Sequence, residues 1–182
     1  MINISSLLED SLSFKFKHIG SNGMRIILQL LQNQNFLRYI KYLGETNPLD
    51  NALPNISPNN IINNGKNDGC IYPVPFNENI LTENGTILFF NPYEFKKLDE
   101  IVSADIYALD IIIPNKYWYI HSIGEWRAYL IIHEIAKSID NKHIAGLGKT
   151  EIVNVSNPYK IENGYSGVTV FIRVYNATTR GY

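Results

Sequence analysis

Apolar residues recur at positions 24, 27, 28, 30 and 31, and again at 36, 37, 39, 40 and 43. Spacings of three and four gather them on one helical face, so one or two helices are expected between about 23 and 43. Gly44 stands where a helix stop belongs, and Pro48 follows shortly after. Residues 45–85 lose the period and fill with Asn, Pro and Gly, as in NALPNISPNNIINNGKNDG. A connector of that length is usually functional or becomes ordered against a partner, and the apolar insertions Leu53, Ile56, Ile61, Ile62, Tyr72 and Phe76 favour the second.

Past this stretch the pattern changes to strands. GTILFF (85–90) and SADIYALDIIIP (103–114) are rich in β-branched residues, and TEIVNV (150–155) reads the same way. GVTVFIRVYNA (167–177) alternates Val168, Val170, Ile172 and Val174 with Thr169, Phe171, Arg173 and Tyr175, the clearest two-residue period in the chain. Between the two strand pairs, Ser122 and Glu125 form S-x-x-E ahead of WRAYLIIHEIAKSID, which predicts a capped helix over about 123–140. NPYKIENGYSG (156–166) is expected to close a hairpin. The order of elements gives an α+β fold, with N-terminal helices and one later helix packed on a mainly antiparallel four-stranded sheet. The expected organisation is an N-terminal arm over 1–21 and a single domain over 22–182, whose loop at 45–85 becomes ordered on assembly.

Composition narrows the functional classes. With 182 residues, a net charge of -1 and 18% charged residues, the chain carries no overall charge that would drive binding to nucleic acid or an anionic membrane. No apolar run reaches the roughly 20 residues of a membrane span. The single cysteine, Cys70, can build neither an internal disulfide nor a thiolate metal site by itself. A tyrosine-rich, weakly charged chain suits a protein that lives inside an assembly.

The stretch HEIAKSIDNKH (133–143) outlines a helical zinc site, with His133, Glu134 and His143. The second ligand of such a motif must lie four residues after the first, and here that position is Lys137, a cation. GLGKT (146–150) echoes a phosphate loop, but it follows a helix and precedes a strand, the reverse of the required order. Asp105, Asp110, Glu125 and Glu134 show no paired spacing, and GCIYP around Cys70 matches no nucleophile signature. Trp118 and Trp126 with Tyr117, Tyr119 and Tyr129 form an aromatic cluster suited to a core or an interface. His133, Glu134 and Lys137 are expected on the polar face of their helix, away from a stripe of Ala128, Ile132, Ile135, Ala136 and Ile139.

Several segments, in order, resemble a known family. QNQNFLRYIKYLGETNPLD is similar to the opening helix and turn of small tailed-phage neck and tail proteins, where a helix ending LRYLYY precedes a DPL turn. GCIYPVPFNENILTENGTILFF resembles their I-x-P-x-P-F stretch, and GLGKTEIVNV and NGYSGVTVFIRVYN follow their G-x-G-K and S-G-Y strands, with S-G-V here at Ser166, Gly167 and Val168. The resemblance implies a head-to-tail connector or tail terminator. Such a protein is a structural component of the virion neck or tail, made in the host bacterial cytoplasm, that closes into a homo-oligomeric ring on the DNA conduit. Its expected partners are neighbouring copies and the portal, neck or tail proteins. Genomic DNA would pass through the lumen without sequence-specific binding, and no membrane, enzyme activity, metal or cofactor is implied. Candidate protomer-contact residues are His133, Glu134, Lys137, Trp118, Trp126, Tyr72 and Phe76. The alternatives are a small metal-dependent hydrolase built on His133, Glu134 and His143, and a non-viral adaptor that binds a protein through the aromatic patch.

Overall fold

The computed structural model describes residues 18–62, 69–75, 85–97 and 102–177. Two helices open this part, α1 over 18–30 and α2 over Gln34–Lys41, as the apolar spacing predicts. Asn33 separates them and caps α2, its side chain accepting the Phe36 amide at 3.2 Å. Helix α1 runs across the expected boundary at residue 21, and residues 1–17 of the proposed arm lie outside the described residues.

The remaining elements are β1 (Ile71–Tyr72), β2 (Ile87–Lys97), β3 (Val102–Pro114), β4 (Tyr119–Ile120), β5 (Glu125–Trp126), α3 (Arg127–Ile139), β6 (Lys142–His143), β7 (Lys149–Val155), β8 (Tyr159–Ile161) and β9 (Tyr165–Ala177). The α+β class holds, but the sheet is larger than the four strands expected. Seven strands join in the order β1-β2-β3-β9-β7-β6, with β8 also on β9. The extra strands β1, β6 and β8 are two or three residues long, too short to show a period in the sequence. Among the described strands, only β1 pairs in parallel. The hairpin expected at 156–166 is present in a modified form: β7 and β8 both lie along β9, interrupted where Ser156 takes the Thr169 amide on its hydroxyl.

Strands β3 and β9 pair along their whole length, from Val102 opposite Ala177 to Pro114 opposite Tyr165. Their alternation puts Leu109, Ile111, Ile113, Val168, Val170, Ile172 and Val174 on one face, all buried against Ile26, Leu30, Phe36, Leu37, Ile131, Ile135 and Ile139 of the three helices. Each such side chain contributes about 1.5–3 kcal/mol on leaving water, so this layer dominates the fold. Ile87, Phe89, Ile112 and Tyr165 form a smaller buried cluster on the other face, with Tyr72, Tyr159 and Ile161 at its margin.

The described part of the long loop is fastened to the rest of the chain. Arg38, buried in α2, donates to the Asp50 and Leu53 carbonyls at 2.8 Å each and to Asn55 Oδ1 at 3.2 Å. Gln34 exchanges two hydrogen bonds with the Ile56 backbone, and the Tyr42 hydroxyl reaches the Pro54 carbonyl. Ile61 is fully buried, and Ile62 bridges to Ile71. These contacts fasten residues 45–62 to α2, and Thr46 and Ile61 add contacts to Ser122 and Ile71 of the same chain. Residues 63–68 and 76–84, including Phe76, lie outside the described residues.

The predicted helix cap also fails. Helix α3 begins at Arg127 with Trp126 at its cap position and no side-chain cap bond. Ser122 and Glu125 belong instead to a small hairpin in which Tyr119 pairs with Trp126 and Ile120 with Glu125. The Ser122 hydroxyl donates to the Thr46 carbonyl. Cross-strand pairing of two aromatic side chains and a chain reversal at Gly124, with φ of +69°, outweigh the local capping signal.

Candidate functional site

Four large, exposed apolar side chains cluster around the start of α3. Tyr119 is 39% exposed, Ile123 43%, Trp126 48% and Tyr129 44%. Tyr119 and Trp126 face each other across the hairpin, the Trp126 and Tyr129 rings lie 5.8 Å apart, and His121 stands edge-on to Tyr119 at 4.9 Å. Steps of three and four carry the ridge from Trp126 through Tyr129 to the exposed His133 and Lys137. These four therefore share one outer stripe of α3.

The ridge is held from beneath by Arg127, which is 2% exposed. Its guanidinium donates to the carbonyls of Tyr117 (3.0 Å), Tyr39 (2.9 Å), Tyr42 (3.3 Å) and Leu43 (3.1 Å), so it closes the C-terminal end of α2 and fixes the hairpin to it. Burial pulls its pKa down to about 10, which leaves it charged at neutral pH. Nothing in the local sequence WRAYL marks this arginine as internal, and only the approach of α2 explains it.

Glu134 departs from its expected place on the polar face. It is 4% exposed and turned toward α2, where Asn33 Nδ2 donates to its carboxylate at 2.9 Å and Lys137 pairs with it at 3.0 Å. Burial raises its pKa, but the hydrogen bonds from Asn33 and Lys137 and the Lys137 charge outweigh that, and the net shift is downward. Its carboxylate is engaged within the chain, so His133 and Lys137 are the accessible members of that trio. Trp118 is half-buried against the main core, and Tyr72 lies on β1 at the far edge of the sheet. The fold thus joins Trp126, His133 and Lys137 and leaves Trp118 and Tyr72 elsewhere. Tyr119, Ile123 and Tyr129 complete the ridge; Tyr119 and Tyr129 were visible as part of an aromatic cluster, whereas Ile123 carried no signal of its own.

The residues of the zinc outline are similarly dispersed. His133 is exposed on α3, Glu134 points inward, and His143 sits on β6 beyond the helix end. No group of three His, Cys, Asp or Glu side chains arranged for a metal occurs among the described residues. Cys70 is half-buried, and burial pushes its thiol up to about 11, away from a reactive thiolate. Asp110 lies half-buried on the second sheet face, accepting from Thr169 Oγ1 at 2.6 Å and the Tyr159 hydroxyl at 3.4 Å. Burial raises its pKa, and the two hydrogen bonds only partly offset that.

At the other end of α3, GLGKT forms the turn and first residues of the β6–β7 hairpin. Gly146 has φ of +73°, and the Arg25 side chain from α1 lies over it while donating to the Ala145 carbonyl at 2.9 Å.

A family model named YomW matches residues 33–174, from the cap of α2 almost to the end of β9. The chain belongs to the YomW family. That name comes from a gene of a Bacillus phage region, which associates the chain with phage. The matched YomW region contains both hairpins that flank α3 and leaves α1 outside it. No curated protein matches the chain.

Proposed function

We propose that this YomW-family chain is a structural virion protein of a tailed phage, one that closes into a homo-oligomeric ring in the neck or tail where the DNA conduit joins the portal to the tail. It acts by contact alone, with no catalytic residue, metal or cofactor. The observation that carries this reading is the ridge of Tyr119, Ile123, Trp126 and Tyr129, four large side chains that remain 39–48% exposed on a chain with a well-filled core. Together they offer roughly 400 Å² to a neighbour, within the range of the largest patch on a typical monomer, which is often functional. A ring needs such a patch to meet a different patch on the next copy, since head-to-tail contacts are heterologous.

The magnitude also fits a chain that assembles on a platform. Covering roughly 400 Å² gains about 10 kcal/mol at 25 cal/mol per Å². Association costs about 4–15 kcal/mol in lost freedom. The ridge alone leaves isolated copies weakly associated or monomeric, and a portal or tail end that pre-arranges neighbours tips the balance.

Mass spectrometry of purified source particles tests the reading directly, with the chain expected in a fixed ratio to the portal protein. Replacing Trp126 and Tyr129 together by alanine is expected to leave heads and tails unjoined. Absence from the particles, or normal tailed particles from the double variant, overturns the proposal. A chain missing from particles but bound to a host protein would make the ridge an adaptor surface instead.

A further inference from the structure

The turn that sequence reading set aside as a failed phosphate loop carries a different feature. Between Asn141 and Lys149 the β6–β7 hairpin has Lys142, His143 and Lys149 and no acidic residue. Pairing puts His143 opposite Lys149 on one side of the ribbon, and Lys142 opposite Thr150 on the other. Arg25 adds its guanidinium at the tip through Ala145, and Lys137 adjoins from α3, whose Lys137 carbonyl accepts the Lys142 ammonium.

Three acids lie near the hairpin. Asp140 accepts the Ile152 amide at 2.9 Å and an Asn141 side-chain N–H at 3.3 Å, while Glu134 is held by Asn33 and Lys137. Glu151, next along β7, bonds the Tyr175 hydroxyl and pairs with Arg173 at 3.7 Å. Glu134 offsets Lys137 and Glu151 offsets Arg173, so Lys142, Lys149 and Arg25 outnumber the remaining Asp140 and leave the hairpin a local excess of positive charge on a chain of net charge -1.

We propose that the β6–β7 hairpin contacts the phosphate backbone of duplex DNA, with Lys142, His143, Lys149 and Arg25 as the contacting side chains. The contact is independent of base sequence. The hairpin carries no Phe, Tyr or Trp side chain to stack on a base. Cations gathered along one hairpin suit a polyanion with a charge about every 1.7 Å of its axis. The inference rests on the conduit reading only in saying where the DNA runs: this end of α3 faces the lumen, and the aromatic end faces a neighbour.

The test is fluorescence anisotropy of a labelled 20-bp duplex with the full-length chain at about 50 mM salt, a condition in which phosphate contacts are strong. Duplexes of unrelated sequence are expected to bind alike. Lys142→Glu with Lys149→Glu is expected to weaken binding at least tenfold and to lower the slope of log affinity against log salt by about 2. Arg25→Glu provides a second variant on a different element, and far-ultraviolet circular dichroism establishes that each remains folded. Lys160→Glu, an exposed charge reversal on β8, serves as the control for net charge and is expected to cost less than twofold. No duplex binding by the unmodified chain overturns the proposal. Equal weakening by Lys160→Glu, or tighter binding to polyglutamate than to DNA, also overturns it. A chain absent from particles whose duplex binding still depends on the hairpin supports the contact and overturns only the conduit reading.

Discussion

Two hairpins flank α3 and present opposite chemistry. The β4–β5 hairpin carries Tyr119, Ile123 and Trp126 outward, whereas the β6–β7 hairpin carries Lys142, His143 and Lys149 and no Phe, Tyr or Trp. Each turns through a glycine at positive φ, Gly124 and Gly146. Beneath each lies a buried polar anchor: Arg127 gathers four carbonyls under the first, and Thr150 under the second donates toward the Ile139 and Lys142 carbonyls. The anchors satisfy the ends of α2 and α3, whose last carbonyls lack helical partners. The anchors hold each hairpin to a helix end, and one helix of 13 residues separates the two surfaces by about 20 Å.

Removing an anchor should have the largest effect. Arg127→Met leaves four buried or half-buried carbonyls without their donor and is expected to cost about 3 kcal/mol or more, read as a fall in thermal midpoint. A loss below about 1 kcal/mol would mean that the aromatic hairpin does not depend on it. Next in size is Gly146→Ala, which forces a side chain into the left-handed region and pushes Arg25 off the turn, at about 1–2 kcal/mol. Urea titration measures it, and wild-type stability would show that the basic hairpin relaxes freely.

Midway along α3, Glu134→Gln is expected to cost about 1 kcal/mol at neutral pH through loss of the Lys137 pair and a weaker bond from Asn33. The sign of its pH dependence follows from a folded pKa that lies below the ordinary glutamate value. Its contribution is present above that ordinary value and disappears as pH falls through the lower, folded one, so stability should drop on acidification below about pH 4.3. The variant should show a smaller drop over the same range; an identical acid limb would remove Glu134 from the account. The smallest effect belongs to the ridge. Trp126→Ala should cost the isolated chain about 0.2–1 kcal/mol, the worth of its pairing with Tyr119, and a loss above about 2 kcal/mol in chemical denaturation would make Trp126 chiefly a packing residue.

How far each surface could be read from sequence follows the same division. The two-residue period of Val168 to Val174 and the helical spacing of residues 24–43 reappear as β9 and as α1 with α2, because burying one face of a regular element imposes its period on the chain. The aromatic cluster around Trp118 and Trp126 was visible, but only the fold separates half-buried Trp118 from exposed Trp126. The Ser122–Glu125 cap was misleading because a local pattern cannot register that Tyr119 pairs with Trp126 or that Thr46 accepts from Ser122. Glu134 read as a surface acid for the same reason: its partner, Asn33, lies a hundred residues away in the chain.

By itself, then, the sequence determined the α+β class, the long strands, the helices and the absence of a complete zinc motif, all of which rest on periodicity and on residue identity at fixed spacing. Tertiary structure alone decided which polar groups are internal, how the 45–62 loop is fastened to α2, that three very short strands enlarge the sheet, and that α3 ends in one aromatic and one basic hairpin. Those outcomes depend on hydrogen bonds and pairings between residues far apart in the chain. Such contacts leave no periodic trace, because each is made once and is fixed by the packing of whole elements.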